Sequence, residues 1–514
     1  MQEVKALILS KSNYKRYITI IGAFTNLLFC IFTLLPPYLL KKPNFYIYEK
    51  NEASNTTFLL SNKSLEFNQK YCDTSKYIME KDSINSLNNW AYEYDLYCTE
   101  EKDYSNALLV ISLFTGGVLG NIIFETIPDK YGREKIYKAL SIIELFLQIN
   151  LILDFGLFHL TIILFFIGIN LYTFPLSYVV IEEFIVDDQG FIFGIINGIY
   201  PIGGILVALW YMSVNNTKLL FTIICCGLVI FNYYLFKFFY ESPRWLRSKG
   251  RKKECLEVLN NIAKYNNMEQ EWLNFQKNNP DIMARISPNN DEENNNNGNN
   301  NTNKYGFLEI LKIESQRKKF LYTLLVWTLT GTCFYGIILY LDQMKGDFFL
   351  NAILSFVGEA LAEYYGASLT DKYGRKMITV FLMYLGTFFF FLYEILPEKF
   401  SGITLFFSMM GFAGNFTCLS ILINEIFVTE IRGTVYSDLY ILDRFVPIII
   451  KIMGLFCSKR VIDILFILSG LFSGVITHVY FWETLGQPHY DFIYEEEANN
   501  QNNNDIRLNF LEHN

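Results

Sequence analysis

Long apolar runs recur along the chain, each about as long as the 20 residues a helix needs to cross a bilayer core. They fall at 17–39, 106–127, 136–155, 158–183, 190–212 and 219–240, and again at 320–340, 347–369, 377–396, 402–427, 434–456 and 461–482. Six runs, a polar break and six more runs predict an all-α membrane protein, with twelve transmembrane helices in two six-helix bundles. The domain boundaries follow from the pattern. Residues 1–16 form a cytoplasmic N-terminus. The first bundle occupies 17–240 and includes a long outer loop, 41–105. A cytoplasmic middle loop, 241–319, leads to the second bundle, 320–482, and a cytoplasmic tail, 483–514. Residues 1–10 are too short and polar-flanked for a cleaved signal peptide, so the first span is read as the signal anchor.

Basic residues in short loops set orientation. Lys130, Arg133, Lys135 and Lys138 lie between spans 2 and 3; Arg244, Arg247, Lys249, Arg251, Lys252 and Lys253 follow span 6; Lys372, Arg375 and Lys376 lie between spans 8 and 9. If the spans alternate, these loops share one side, which is therefore cytoplasmic, and both termini join them there. Lys459 and Arg460 are a small exception on the outer side.

Composition narrows the classes. Hydrophobic residues make up 52% and charged residues 18%, against about 25% charge in a soluble protein. Such a chain cannot cover a soluble surface of its size, which excludes a soluble enzyme. A net charge of -8 argues against a nucleic-acid partner. Four His and nine scattered Cys suggest no metal site. No cofactor and no catalytic residues are expected.

The outer loop carries two glycosylation sequons, at Asn55 and Asn62, and two cysteines, Cys72 and Cys98. In an oxidising compartment those cysteines are expected to form a disulfide. Residues 288–303 are nearly all Asn with a few acids, a composition that cannot bury a core and reads as disordered.

The two halves share a motif. Asp129-Lys-Tyr-Gly-Arg lies between spans 2 and 3, and Asp371-Lys-Tyr-Gly-Arg lies between spans 8 and 9. A glycine turn (Gly132, Gly374) flanked by an acid and a base suits the bracing of neighbouring helix ends, because acids favour helix N-termini and cations favour C-termini. Six plus six spans with this repeat resemble the major facilitator superfamily. Further segments narrow the resemblance: Glu241-Ser-Pro-Arg-Trp-Leu-Arg after span 6, Tyr94-Asp-Leu-Tyr-Cys before span 2, Asn424-Glu-Ile-Phe-Val-Thr-Glu-Ile-Arg-Gly closing span 10 and Glu483-Thr-Leu-Gly-Gln-Pro after span 12. Together they look like the organic cation, organic anion and carnitine transporters. The resemblance implies a charge network that breaks and reforms as the halves rock, made of Asp129, Arg133, Glu183, Glu241, Arg244, Asp371, Arg375, Glu425 and Arg432. The chain departs from the pattern where Glu125 and Ala367 replace a leading glycine, and where Asp187-Asp-Gln-Gly replaces an arginine pair.

Ionisable residues deep in spans are costly and default to functional hypotheses. Glu359 and Glu363 in span 8 share a helical face, with Glu359 about 18 Å into the span. Span 11 carries Asp443 and Arg444, and Arg444 is about 15 Å from the cytoplasmic end. By resemblance, Glu359 matches the family's span-8 acid, and Arg444 stands where cation transporters carry an acid and anion or carnitine types an arginine. Glu363 falls where anion carriers tend to have lysine. A carboxylate and a guanidinium across one cavity suit a zwitterion, or neutralise each other. An interhelical Glu–Arg pair that only holds helices together is the bland alternative. Tyr178, Tyr335 and Tyr340 are the aromatic candidates, since a buried hydroxyl needs a partner. Lys451 is expected to snorkel outward. Glu144, beside Gln148 in span 3, reads as a proton-coupling carboxylate or, slightly better, a packing group.

The function expected is secondary-active transport of a small organic ion (anion, cation or a zwitterion such as carnitine) by alternating access. The expected partners are that substrate, a coupling ion (proton or sodium) or exchange substrate, and the lipid bilayer, at the plasma membrane or an internal one. The alternatives are a sugar or polyol proton symporter and a transporter-like receptor or scaffold that does not transport.

Overall fold

The computed structural model describes residues 13–42, 45–50, 57–60, 77–79, 86–94, 96, 100–184, 189–280, 306–486 and 493. The chain divides into two compact units, Met1–Asn300 and Asn301–Asn514. Each unit carries six spans, as the apolar pattern predicts.

In the first unit, span 1 is Asn13–Leu34 and span 2 is Glu100–Phe124. Span 3 is Arg133–Leu153. Span 4 is two helices, Leu157–Asn170 and Thr173–Phe184. Spans 5 and 6 are Gln189–Ser213 and Thr217–Phe238. The break in span 4 comes just before Pro175, which lies in the first turn of the second helix, where its missing N–H leaves no intrahelical bond unmade. Spans 2 and 4 lie backbone to backbone: a β-carbon on Gly120 would reach Ile169 O at 2.3 Å, so only glycine permits the approach.

The outer loop adds a three-stranded antiparallel sheet, β1 (Phe45–Lys50), β2 (Thr57–Leu60) and β3 (Tyr77–Met79), in the order β2-β1-β3. Ile47 pairs with Leu60, and Phe45 pairs with Met79. Asn55, Asn62, Cys72 and Cys98 lie outside the described residues, as do Asp187 and residues 288–303.

Part of the segment read from sequence as a middle loop is helical. Three helices, Pro243–Ser248, Lys252–Tyr265 and Glu269–Asn278, follow span 6. Their apolar faces (Trp245, Leu246, Cys255, Leu259, Ile262, Ala263, Trp272) join the core formed by Tyr14, Tyr17 and Phe184. This segment therefore packs onto the end of the first six spans that carries Tyr14 and Phe184.

In the second unit, span 7 is Glu314–Leu339, span 8 Phe348–Tyr373 and span 9 Arg375–Ile395. Span 10 is Ser401–Ile426, span 11 Thr429–Phe456 and span 12 Lys459–Tyr480. Spans 8 and 10 pack closely through Gly358 and Gly414. A β-carbon on Gly358 would come 2.3 Å from Phe406 O, and one on Gly414 would come 3.1 Å from Ala362 Cβ.

Candidate functional site

The repeated motif builds the same device in each unit. In the first, the short helix Ile127–Tyr131 stops at Gly132, whose φ of 109° is a conformation that side chains disfavour, and span 3 starts at Arg133. The Glu241 carboxylate accepts the backbone N–H groups of Arg133 (3.2 Å), Glu134 (3.2 Å) and Ser242 (3.0 Å), filling orphan donors at the start of span 3. The Arg133 guanidinium pairs with Asp129 at 3.1 Å and with Glu183. In the second unit, Gly374 (φ 103°) precedes span 9. Glu483 accepts from Arg375 N (2.7 Å), Lys376 N (3.2 Å), Thr484 N (3.1 Å) and Leu485 N (3.1 Å). Arg375 pairs with Asp371 at 3.0 Å and Glu425 at 3.1 Å, and the Thr484 hydroxyl donates to Glu425.

Every member of the second device follows its counterpart by 242 residues: Asp129 and Asp371, Gly132 and Gly374, Arg133 and Arg375, Glu183 and Glu425, Glu241 and Glu483. The structure thus brings together seven of the nine network residues expected from sequence. It adds Glu483, whose distance from the second motif equals that of Glu241 from the first. Arg244 is exposed and makes no ion pair among the described residues. Arg432 donates to Phe427 O at 3.1 Å.

The second unit carries several charged residues inside its spans. Among the described residues, ten helical spans are long and apolar enough to cross a bilayer on those grounds alone; spans 8 and 11 are the two that are not. They are the spans that carry Glu359, Glu363, Asp443 and Arg444. Asp443 and Arg444 are buried together with Tyr335 of span 7. Tyr335 donates to Asp443 Oδ2 at 2.8 Å, and Arg444 donates to the same oxygen at 3.0 Å and to the Tyr335 hydroxyl at 3.1 Å. The triad is neutral overall. Among the described residues, neither Glu359 nor Glu363 forms an ion pair with Arg444, which pairs with its sequence neighbour Asp443. Glu359 is 1% exposed, its Oε2 has no hydrogen-bond partner, and it makes no ion pair among the described residues. Glu363 Oε2 is likewise buried without a partner.

Tyr340 lies apart from this group. Its hydroxyl donates to Ile450 O at 3.3 Å, and Lys451 Nζ sits over its ring while donating to Leu339 O at 2.9 Å. Lys451 thus docks on the last carbonyl of span 7, a favourable place for a cation.

The first unit contains a largely buried aromatic cluster. Phe29 stacks on Phe174 with ring centres 4.2 Å apart, Phe174 meets Tyr178 edge-on at 4.9 Å, and Tyr200 lies 5.9 Å from Phe29. The Tyr178 hydroxyl donates to Asn197. Such faces suit organic cations. A buried carboxylate of this unit, Glu144, accepts from Gln148 Nε2 (2.8 Å) and Asn170 Nδ2 (2.5 Å), tying span 3 to span 4.

A sequence profile described as Major Facilitator Superfamily matches residues 101–449, more than half of the chain. The chain belongs to the major facilitator superfamily. It is a multi-pass membrane protein with twelve helical spans of that fold. Among solved structures, a partially occluded, inward-open form of the xylose transporter XylE from E. coli superposes with a TM-score of 0.59 over 93% of this chain and 100% of the transporter, at 17% identity. That likeness concerns the fold. A beta-alanine transporter of Drosophila melanogaster is 22% identical over 74% of this chain. Organic cation/carnitine transporter 2 of Homo sapiens is 21% identical over 71%. The chain spans 61% of the length of the fly transporter and 68% of the human one.

Proposed function

We propose that this protein is a secondary-active carrier of small organic ions, working by alternating access, and that it prefers a substrate with a positively charged nitrogen. The observation that carries the preference is the buried Glu359, which has no ion pair among the described residues, while Asp443, Arg444 and Tyr335 bond to one another. A buried carboxylate without a counter-ion is costly and is relieved by a cation. Beta-alanine, carnitine and organic cations, the substrates in the relatives' names, each present such a nitrogen. For a zwitterion, Arg444 and Tyr335 are the donors suited to the carboxylate end. The twin cytoplasmic devices are read as the braces that hold helix ends in one state and release them in the other. The plasma membrane is the proposed location.

The test is uptake by reconstituted vesicles of tetraethylammonium, carnitine, benzoate and xylose, each for the intact chain and for Glu359→Gln. Entry of tetraethylammonium or carnitine, abolished by the substitution, supports the reading. Entry of benzoate alone moves the substrate charge to Arg444. Entry of xylose alone, unaffected by the substitution, supports a sugar carrier, and no entry of any solute supports a non-transporting role.

A further inference from the structure

Span 8 carries a polar residue at every fourth position from its outer end: Asp347, Asn351, Ser355, Glu359 and Glu363. Such a row forms a ridge along a helix, rising about 6 Å per step. The first two are satisfied locally. Asp347 caps the helix by accepting from Leu350 N at 2.8 Å. Asn351 donates to Lys345 O at 2.7 Å and accepts from Ser401 at 2.9 Å. The next three are not: Ser355 Oγ, Glu359 Oε2 and Glu363 Oε2 are buried and unpartnered.

Four cations of this unit bond elsewhere among the described residues. Arg444 bonds Asp443, Arg375 bonds Asp371 and Glu425, Lys345 bonds Glu394, and Lys451 bonds Leu339 O. Span 8 packs chiefly on spans 9 and 10 and the turn Leu341–Gln343. The titratable groups on those elements are Arg375, Lys376, Tyr384, Tyr393 and Glu394, then Cys418 and Glu425, then Asp342. None of them bonds either carboxylate among the described residues. Two ionised carboxylates one turn apart, buried and without a cation, repel each other and forgo solvation together. One proton between them relieves both costs, and an organic cation seated there relieves them equally.

We propose that Glu359 and Glu363 hold one proton between them in the empty carrier and release it as an organic cation binds, so that the protein exchanges proton for cation. This rests on the carrier reading above and names its coupling ion. The O–H bond breaks on cation binding, the proton passes to water, and no other reactant is needed.

Two measurements on the reconstituted full chain test it. The first uses tetraethylammonium, which has no proton of its own to carry, and a pH dye inside the vesicles. With the interior one pH unit more acidic, one-for-one exchange accumulates the cation about tenfold while the interior becomes less acidic. Cation entry without proton movement, accumulation driven by sodium instead, or wild-type accumulation in Glu363→Gln each overturns the proposal. The second is the infrared carbonyl stretch of protonated carboxylic acid at neutral pH. It is expected in the wild type, diminished in both Glu359→Gln and Glu363→Gln, and bleached by tetraethylammonium. A spectrum that neither substitution changes overturns the proton pair even if no solute is carried, so this result is separable from failure of the carrier reading.

Discussion

The carboxylate of Glu483 lies against Gly374 so closely that a β-carbon on that glycine would sit 2.6 Å from Oε2. Glycine there serves two ends: it turns the chain at φ 103°, and it leaves room for the carboxylate that caps span 9. Gly374→Ala is expected to cost about 1–2 kcal/mol from the disfavoured backbone and about 1 kcal/mol more from the displaced cap. Glu483→Ala alone loses the cap. The double substitution should lose less than the sum, because the removed carboxylate makes room for the methyl group. Thermal unfolding of the four purified forms in detergent checks this, and strict additivity would show that the two groups do not interact.

Glu241, the counterpart in the first unit, gives a pH signature. Burial raises its carboxyl above the ordinary value of 4.5, against the pull of its backbone donors. The folded state therefore binds this proton more tightly than the unfolded state. Its contribution is favourable below the unfolded value and is lost as pH rises through the raised folded one. On acidification from neutrality toward pH 4.5, the wild type should gain stability relative to Glu241→Gln, which lacks the titrating group. A parallel pH dependence of the two melting temperatures would refute it.

The spans were legible because 20 apolar residues in a row have few other readings. The middle helices were not, because charge density masked an amphipathic spacing: Cys255, Leu259 and Ile262 recur at helical intervals and are buried. The break in span 4 was hidden because the apolar run continues across it. Of the site, the placement of Glu359 and Arg444 inside helical spans could be read from position, but the partners of Arg444 could not. Neighbours at i and i+1 do not normally face each other on a helix, so Asp443 was not the obvious counter-ion of Arg444. The long guanidinium arm, together with the Tyr335 hydroxyl, makes it so. Glu483 stood in plain sight, 242 residues after Glu241, but only the matching cap geometry gives that interval a meaning.

The triad predicts a specific non-additivity. Asp443→Ala removes the carboxylate to which the buried Arg444 is bonded, and breaking such a pair costs roughly 3–5 kcal/mol. Adding Arg444→Met removes the stranded charge and should recover most of that loss. Tyr335→Phe takes one donor from Asp443 and should cost about 1 kcal/mol. Denaturant unfolding of the single and double variants measures all three. A double variant as unstable as the sum of the singles would mean that the charges are not a pair.

Glu144 tests whether a buried carboxylate in this chain must be functional. It resembles Glu359 in burial but differs in company: two amide donors, from Gln148 one turn away and Asn170 on span 4, satisfy its oxygens. Gln148 Oε1 and Asn170 Oδ1 are buried without partners, so each amide also has an acceptor free for a donor placed at residue 144. Glu144→Gln retains an acceptor for one amide and offers a donor to another, and should leave both folding and uptake intact. Glu144→Leu strands two buried amides at about 1–3 kcal/mol each and should lower the melting temperature while the protein that stays folded still transports. Loss of uptake in Glu144→Gln at unchanged stability would move Glu144 from a tie between spans 3 and 4 to a member of the coupling machinery.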